Sequence, residues 1–388
     1  MTNDPVYLDY NGTTPVDPRV AEAMKPYLDT HFGNPSSSHA YGRRARAAVN
    51  EARNQVAGLL GCLPEEVVFT GGGTESNNHV LFGVARASRE KGRHIVTSRV
   101  EHSAVLEPAL ALLEDGFDVT FLPVDEYGRV SPSDLEASLR PETILVSVMH
   151  ANNEVGTLQP VEEISRIARS RSILLHTDAA QSVGKIPARV DELGVDFLSV
   201  AGHKLYAPKG VGALYVRRGA PLARLLYGAG QESGRRAGTE NVLEIAGLGE
   251  AARLALDELP SAAVRLREMR DLLELRLLEG VAGAVVNGHP RERLPNTLSI
   301  AFPGLVSDVF LSELRGVAAS AGAACHSDGV RISHVLEAMR VPAEIARGTV
   351  RFTVGRFTTA EEVERAAREI VETANRLKAE AEVAGMNA

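Results

Sequence analysis

Residues 197–204, with the sequence FLSVAGHK, decide the fold class of this chain. A short apolar run ends there in Lys204, and a second run, ILLHTD at residues 173–178, ends in Asp178. Parallel strands of α/β proteins usually present their functional groups at the carboxyl ends. The two runs therefore predict neighbouring strands of one parallel sheet, with the lysine and the carboxylate at the same edge.

The pattern around these two runs predicts an α/β protein with a second, smaller domain. Short apolar strands alternate with helical stretches from about residue 65 to residue 217, which predicts a mainly parallel sheet covered on both faces. Residues 244–280 show helical spacing with a break at Pro260, and strands and helices are mixed after them. We expect a large domain of residues 16–255 and a small α+β domain of residues 1–15 and 256–388.

The composition excludes several classes of protein. The chain has 388 residues, 44% of them hydrophobic and 24% charged, as in globular proteins of two domains. A net charge of −8 argues against nucleic acid as a partner, because no basic stripe is present to neutralise phosphates. No segment predicts a membrane helix, and the first residues lack the pattern of a secretion signal. We therefore expect a cytoplasmic protein with no membrane contact.

The two cysteines, Cys62 and Cys325, predict neither a disulfide framework nor a cysteine-based metal site. Cys62 follows a predicted helix, where a small buried hydrophobic residue is expected. Cys325 lies in SAGAACHSDG, residues 320–329, whose small and polar residues predict a mobile loop in the small domain. A thiol on an exposed loop beside a histidine is a candidate nucleophile, and a loop cysteine without a function is the alternative.

A lysine at one strand end and a carboxylate at the next are the groups that pyridoxal phosphate requires. The amine of Lys204 would form a Schiff base, and Asp178 would keep the pyridine nitrogen protonated so that the ring accepts electrons. The alternative is a surface ion pair, which would contribute little. These two residues alone leave both interpretations open.

Residues 71–75, GGGTE, predict a seat for a phosphate group. They follow a strand and open a helix, so that backbone N–H groups beside Gly73 and the hydroxyl of Thr74 could bind an anion. A tight turn capped by the threonine is the alternative. The segment lacks both the lysine of a nucleotide-binding loop and the spacing of a dinucleotide fingerprint, which argues against ATP and NAD.

Three more polar residues follow predicted strands. His102 comes after the strand at residues 94–98 and could stack on a cofactor ring or move a proton, although a hydrogen-bonded core histidine is the alternative. Asn153 and Gln181 could each offer an amide to a ring oxygen. The histidines of this region come from different strands without acidic or thiol companions at ligand spacing, so that no metal site is predicted.

Motifs along nearly the whole chain resemble, in order, those of the cysteine desulfurase family. They are YLDYNGTTP at residues 7–15, GNPSS at 33–37, GTESNN at 73–78, VEH at 100–102, ANNEVG at 151–156, HTDAAQ at 176–181, GHK at 202–204, GRRAGTEN at 234–241 and VRFTVGR at 350–356. The resemblance implies a pyridoxal-phosphate-dependent transferase of aminotransferase fold type I. It also implies a mainly parallel, seven-stranded sheet in the large domain and a homodimer.

The resemblance assigns a role to each matching residue. Lys204 would form the Schiff base, Asp178 would contact the pyridine nitrogen, and His102 would stack on the ring as an acid or base. The other contacts with the cofactor would come from Gln181 and Asn153 at the ring oxygen, from Gly73, Thr74 and His203 at the phosphate, and from Thr239 of the other subunit. Arg351 would bind the substrate carboxylate, with Asn34 nearby, because a guanidinium fork suits a carboxylate. Cys325 would take sulfur from L-cysteine as a persulfide and pass it to an acceptor or scaffold protein.

Two departures from the family pattern leave the substrate element open. Ala201 stands where many desulfurases carry a serine, and residues 322–328, GAACHSD, resemble the selenocysteine lyase branch. Ser103, however, stands where those lyases tend to carry an aspartate. The spacing between Cys325 and Arg351 leaves room for the long loop of desulfurases that deliver sulfur to a scaffold. L-selenocysteine is therefore an alternative substrate to L-cysteine.

The sequence thus predicts an enzyme that converts L-cysteine to L-alanine and transfers the sulfur to Cys325. A selenocysteine lyase is the second hypothesis. An aminotransferase of the same fold is the third, and it would not need Cys325. A non-catalytic binding protein on the same fold is the fourth, and such a protein would usually have lost one of the residues that carry the chemistry.

Overall fold

The computed structural model describes residues 4–386 apart from 322–324, 327–328 and 331, and it describes no side chains for 325–326, 329–330 and 382–386. The strands are β1 Val6–Tyr7, β2 Val67–Thr70, β3 His94–Ser98, β4 Asp118–Leu122, β5 Thr143–Ser147, β6 Leu174–Asp178, β7 Phe197–Ala201, β8 Gly212–Val216, β9 Val285–Asn287, β10 Thr297–Ala301, β11 Val317–Ala318, β12 Ser320–Ala321, β13 Cys325–His326, β14 Gly329–Val330 and β15 Thr349–Thr353.

The α-helices are α1 Pro18–Met24, α2 Pro26–Asp29, α3 Ala40–Leu60, α4 Gly73–Ala87, α5 Ser103–Glu114, α6 Pro132–Ser138, α7 Val161–Ser170, α8 Val190–Leu193, α9 Val242–Gly280, α10 Ser307–Glu313, α11 His334–Ala338, α12 Ala343–Ala346 and α13 Ala360–Met386. Short 3₁₀ helices occupy Pro64–Glu66, Gly202–Lys204 and Glu232–Gly234.

In the described part of the chain, a seven-stranded sheet has the order β2-β8-β7-β6-β5-β3-β4. The five strands from β7 to β4 pair in parallel, while β8 is antiparallel to both of its neighbours. Strands β3, β5 and β7 are buried along their whole length, as expected when helices cover both faces of a sheet. The predicted α/β fold with a mainly parallel, seven-stranded sheet is therefore confirmed.

A second hydrophobic core surrounds the four-stranded sheet β12-β15-β10-β9, whose pairs are all antiparallel. Helix α9 contributes Ile245 to Ala255 to the core of the large sheet and Leu266, Leu273 and Leu277 to the second core. The helix passes from the first core to the second between residues 255 and 266. The domain limits predicted at 15/16 and 255/256 stay a prediction, and the second limit lies inside this helix.

Helix α9 differs from the sequence prediction because it continues through Pro260 without a break. A proline inside a helix removes one backbone hydrogen bond and leaves the carbonyl four residues earlier without its donor. That carbonyl belongs to Leu256, which is 44% exposed, so that water can supply the missing donor. The helix therefore spans 39 residues.

The amino-terminal segment joins the second core to the large sheet. Strand β1 pairs in parallel with β11, and Asp9 forms a parallel bridge with Thr353 of β15. Thr14 then donates its backbone N–H to the carbonyl of His203, 2.9 Å away, just beyond β7. These bonds hold residues 9–14 against the carboxyl ends of the large sheet. Among the described helices, none is both long and apolar enough to cross a membrane.

Candidate functional site

A cavity of about 410 Å³ opens where the central strands of the large sheet end, against the amino-terminal segment and β15. Its lining includes most of the residues that the sequence analysis singled out. They are Gly73, Thr74, His102, Asn153, Asp178, Gln181, His203, Lys204 and Arg351. The carboxyl ends of neighbouring parallel strands meet at one edge, and this brings together residues that are far apart in the sequence.

Lys204 ends the 3₁₀ helix that directly follows β7. Its Nζ donates to the carbonyl of Gly12, 2.7 Å away, and also to the carbonyl of Asn11. Burial lowers the pKa of Lys204 to about 8, and the nearby charge of Arg351 acts in the same direction. The amine therefore loses its proton readily near neutral pH, as a lysine that attacks an aldehyde must.

Asp178 is the last residue of β6, and it is only 6% exposed. Its Oδ2 accepts from Nδ2 of Asn77 at 2.6 Å, and its Oδ1 accepts from the backbone N–H of Ala180 at 2.9 Å. The two donors fix the carboxylate at the floor of the cavity. Asn77 was not singled out in the sequence, although it belongs to the motif at residues 73–78. The position of Asn77, one turn into α4 and in the same motif as Thr74, could have indicated that it lies near the site.

His102 caps the amino terminus of α5, and its Nδ1 accepts from the backbone N–H of Ala104 at 3.1 Å. Burial lowers the pKa of His102, opposed by the charge of Asp178 and reinforced by that of Lys204. A neutral ring whose Nδ1 accepts must carry its proton on Nε2. His102 can therefore donate from Nε2 into the cavity that it lines.

Glu101 fixes the turn that presents His102. The carboxyl group is fully buried, accepts from the hydroxyl of Ser98 at 2.6 Å and lies 3.0 Å from the backbone N–H of Met149. Burial raises the pKa of Glu101 to about 8. Burial disfavours the charged form of the carboxyl group, and its bonds to Ser98 and Met149 join the ends of β3 and β5.

The glycine-rich turn before α4 has the geometry of an anion seat. Gly72, at the amino-terminal cap, has φ of 147°, which favours glycine, and a Cβ at Gly73 would come within 3.2 Å of the Cβ of Ala201. The first turn of a helix leaves backbone N–H groups without helical acceptors. Thr74 and His203 line the cavity beside it. Burial and the charge of Lys204 lower the pKa of His203 to about 4, so that its ring is neutral.

Arg351 of β15 forms the opposite wall. Its Nη1 donates to the backbone carbonyl of Asn153 at 3.0 Å, and its Nη2 pairs with Oδ1 of Asp9 at 2.8 Å. Among the described residues its buried Nε has no hydrogen-bond partner. The guanidinium is therefore fixed in place but keeps donor capacity, which suits a carboxylate ligand. Asp9, which the sequence analysis did not single out, belongs to the motif at residues 7–15.

Gln181 is held between the amino-terminal segment and a buried lysine. Its Nε2 donates to the carbonyl of Asn11 at 3.0 Å, and its Oε1 accepts from Nζ of Lys185 at 3.0 Å. The carbonyl of Asn11 is the same atom that accepts from Lys204. Asn11 was not singled out in the sequence although it belongs to the motif at residues 7–15, and Lys185 lies outside the motifs that carry the resemblance.

Two of the predicted residues that the structure describes do not line this cavity. Asn34 is exposed, and its Oδ1 accepts from the backbone N–H of Ser36 at 2.9 Å. Thr239 is exposed on the loop that precedes α9, and its predicted role lies at the site of the other subunit. The side chain of Cys325 lies outside the described residues. Within the described residues, no group of three or more histidine, cysteine or acidic side chains could hold a metal ion.

Comparisons with known proteins agree on one family. The class-V aminotransferase family matches residues 6–366. The chain is 50% identical over 360 residues to a protein named cysteine desulfurase IscS of Dictyoglomus turgidum, covering 92% of this chain and 91% of that protein. It is 45% identical to a protein of the same name from Methanosarcina thermophila, covering 97% and 93% of the two chains.

Solved structures that resemble this chain support the same family. A structure described as a NifS-like protein is 40% identical, with a TM-score of 0.90, and the match covers 95% of this chain and 98% of that one. These names favour the desulfurases over the selenocysteine lyases. The predicted fold type is confirmed by the same likeness. The chain belongs to the class-V aminotransferase family and, within that family, to the cysteine desulfurases.

Proposed function

We propose that this chain binds pyridoxal phosphate, converts L-cysteine to L-alanine and transfers the sulfur to Cys325. One observation carries the proposal: the amine of Lys204, the carboxylate of Asp178 and the amino terminus of α4 all border one cavity. These are the groups that an aldehyde, a pyridine nitrogen and a phosphate require. Membership of the family implies the same cofactor.

The residues present fit that cofactor. The cavity, of about 410 Å³, lies within the range of sites for small cofactors, roughly 300–1,000 Å³. The buried Oδ1 of Asn77 and the buried Nε of Arg351 have no hydrogen-bond partners among the described residues. Buried polar atoms are normally paired, so that two orphan atoms at one cavity support a polar ligand there.

Each part of the cofactor would have its own residues. Lys204 would bind the aldehyde carbon, Asp178 would bind the pyridine nitrogen, and Asn153 and Gln181 would face the ring oxygen. The phosphate would lie against Gly73, Thr74 and His203, completed by Thr239 of a second subunit. When bound, the cofactor supplies a carbon that links covalently to an amine and a ring that withdraws electrons from the substrate.

The chain's own groups would bind the substrate and move its protons. Arg351 would hold the carboxylate of L-cysteine through its guanidinium, with Asn34 as a further predicted contact. Lys204, with a pKa of about 8, can take a proton from the substrate near neutral pH. His102 can hold or donate a proton at Nε2, on the side opposite to its bond with Ala104.

Cys325 would act as the sulfur acceptor. Its thiolate attacks the sulfur of the bound L-cysteine, so that an S–S bond forms while the bond between carbon and sulfur breaks. The electron pair of the broken bond stays with the three-carbon fragment, which takes up a proton and leaves as L-alanine. The persulfide then passes its outer sulfur to an acceptor or scaffold protein. A homodimer in the cytoplasm is part of the same proposal.

The test compares the wild-type protein with Cys325→Ser, loaded with pyridoxal phosphate, on L-cysteine and on L-selenocysteine. We expect wild type to form alanine from L-cysteine, and the variant to lose this turnover while it keeps the visible absorption band of the cofactor. Cys62→Ser is the matched control, since burial raises the pKa of the Cys62 thiol to about 12 and leaves it unreactive. Full alanine production by Cys325→Ser, or turnover of L-selenocysteine alone, would contradict the proposal.

A further inference from the structure

Lys185 is a buried lysine beside the proposed cofactor site. It is 5% exposed, and its Nζ donates to Oε1 of Gln181 at 3.0 Å, to the backbone carbonyl of Gln181 at 3.1 Å and to Oδ1 of Asn11 at 3.5 Å. No carboxylate of the described chain forms an ion pair with it. A buried ammonium group is costly unless it is fully hydrogen-bonded, so that these three acceptors account for its presence.

The contact with Lys185 decides which way the Gln181 amide points. An ammonium group can only donate, so that the atom of Gln181 facing it must be the oxygen. Nε2 is thereby directed to the other side, where it donates to the carbonyl of Asn11 at 3.0 Å. That bond uses one of the two hydrogens of Nε2, and the second is free to enter the cavity that Gln181 lines.

The same arrangement connects Gln181 to Lys204. Both donate to the carbonyl of Asn11, and the side chain of Asn11 is held in turn by Asn296 and Thr297 at 3.0 and 2.9 Å. Burial lowers the pKa of Lys185 to about 7, and the nearby charges of Lys204 and Arg351 act in the same direction. Without that proton the amine keeps two N–H donors, enough for the two oxygens of Gln181.

We propose that Lys185 is a positioning residue, which acts through Gln181 by fixing its amide so that Nε2 donates to the ring oxygen of pyridoxal phosphate. This inference rests on the proposed function and extends it to a residue outside the cavity lining. A cofactor held by Lys204 would supply a proton whose loss changes the visible band, placed between the ring oxygen and the Lys204 nitrogen. A donor on that oxygen weakens its hold on the shared proton, so that losing the donor should raise the pH at which the proton leaves.

The experiment is a pH titration of the visible absorption band in the loaded protein, without substrate. We expect Lys185→Met to raise the midpoint by about one pH unit, a tenfold change in proton affinity. Gln181→Leu should raise it similarly, and the double variant should show no further shift. Lys25→Met, which removes an exposed lysine paired with Glu22, is the matched control and should titrate as wild type does.

Four other results would contradict the role proposed for Lys185. An unchanged midpoint in Lys185→Met overturns it while the proposed function stands, because the band itself is present. A shift that is equally large in the Gln181→Leu background also overturns it, since Lys185 would then act by another route. Should Lys185→Met fail to fold, Gln181→Glu replaces the donor by a carboxylate paired with Lys185, and a midpoint no higher than wild type contradicts the inference. A wild-type protein without the band would overturn both proposals.

Discussion

Arg351 and Asp9 form an ion pair in the cavity wall, with Nη2 and Oδ1 2.8 Å apart. The pair joins β15 to the amino-terminal segment and leaves Nε of Arg351 without a partner among the described residues. A ligand carboxylate would therefore meet a guanidinium that is already oriented. Orientation of this kind lowers the entropy lost on binding.

Arg351→Lys should weaken binding of L-cysteine without releasing the cofactor. Lysine keeps the charge but loses the planar fork that suits a carboxylate. We expect KM for L-cysteine to rise by about ten- to a hundredfold, in line with the loss of one or two charge-assisted hydrogen bonds. The visible band should be unchanged. Arg276→Lys, on the exposed face of α9, is the control, and a KM equal to that of wild type in Arg351→Lys would refute the assignment.

Asp178 and Asn77 should differ in how much activity they support. Asp178→Asn removes the charge that would keep the pyridine nitrogen protonated, and we expect kcat to fall by at least about a hundredfold, the range of one strong electrostatic contribution. Asn77→Ala removes only the 2.6 Å bond to Oδ2 and should cause a smaller loss. Both variants are compared by single-turnover alanine formation at saturating cofactor. A larger effect from Asn77→Ala than from Asp178→Asn would contradict this order.

The pKa of Lys204 predicts how fast the cofactor-free protein takes up pyridoxal phosphate. Only the neutral amine attacks an aldehyde. With a pKa of about 8, half of the amine is neutral at that pH, whereas an ordinary lysine would reach that point near pH 10.5. The second-order rate of band formation in stopped-flow should therefore rise with pH to a midpoint near 8.

Arg351→Met tests the cause of that shift. Burial is the larger contribution and the charge of Arg351 the next, so that removing this charge should move the midpoint upward. Lys25→Met again serves as the control with no expected change. A midpoint near 10 in the wild-type protein would show that Lys204 is not in the buried position described.

The buried pair between Arg53 and Glu232 should matter more for stability than the exposed pairs. Glu232 accepts two bonds from Arg53, at 2.7 and 2.8 Å, and a third from the backbone N–H of Phe69 at 2.9 Å. Arg53→Met would leave the carboxylate buried without its partner, which typically costs about 3–5 kcal/mol. We expect the urea midpoint to fall, while Arg140→Met, which breaks the exposed pair with Asp118, should leave it unchanged. Equal midpoints for the two variants would contradict this prediction.

The sequence predicted the sheet and most of the cavity because both follow from local patterns. Apolar runs such as residues 197–201 are recognisable, and the rule that parallel strands present groups at their carboxyl ends placed Lys204 and Asp178 together. The site residues that the sequence did not predict owe their positions to contacts between distant segments of the chain. Asn11 enters the site only because β1 pairs with β11, more than 300 residues away. The role proposed for Lys185 depends on where its buried amine points, which the sequence does not indicate.

Helix α9 shows a second limit of local patterns. A proline in an otherwise helical stretch predicts a break, and the exposure of Leu256 is compatible with a helix that continues. Exposure is a property of the folded chain that spacing does not reveal. The exposed position of Asn34 is of the same kind, since its distance from the cavity depends on the folded chain and not on local spacing.

The amino-terminal segment has a consequence for synthesis on the ribosome. The backbone N–H of Asn11 donates to the hydroxyl of Thr353 at 3.0 Å, and β1 pairs with β11. The carbonyl that contacts Lys204 is thus translated before its anchors, which lie more than 300 residues later in the chain. Domains generally fold as units during translation, so that the large sheet can form early. The edge that carries Lys204 and Asp178 then stays open to solvent until β11 and β15 have been translated.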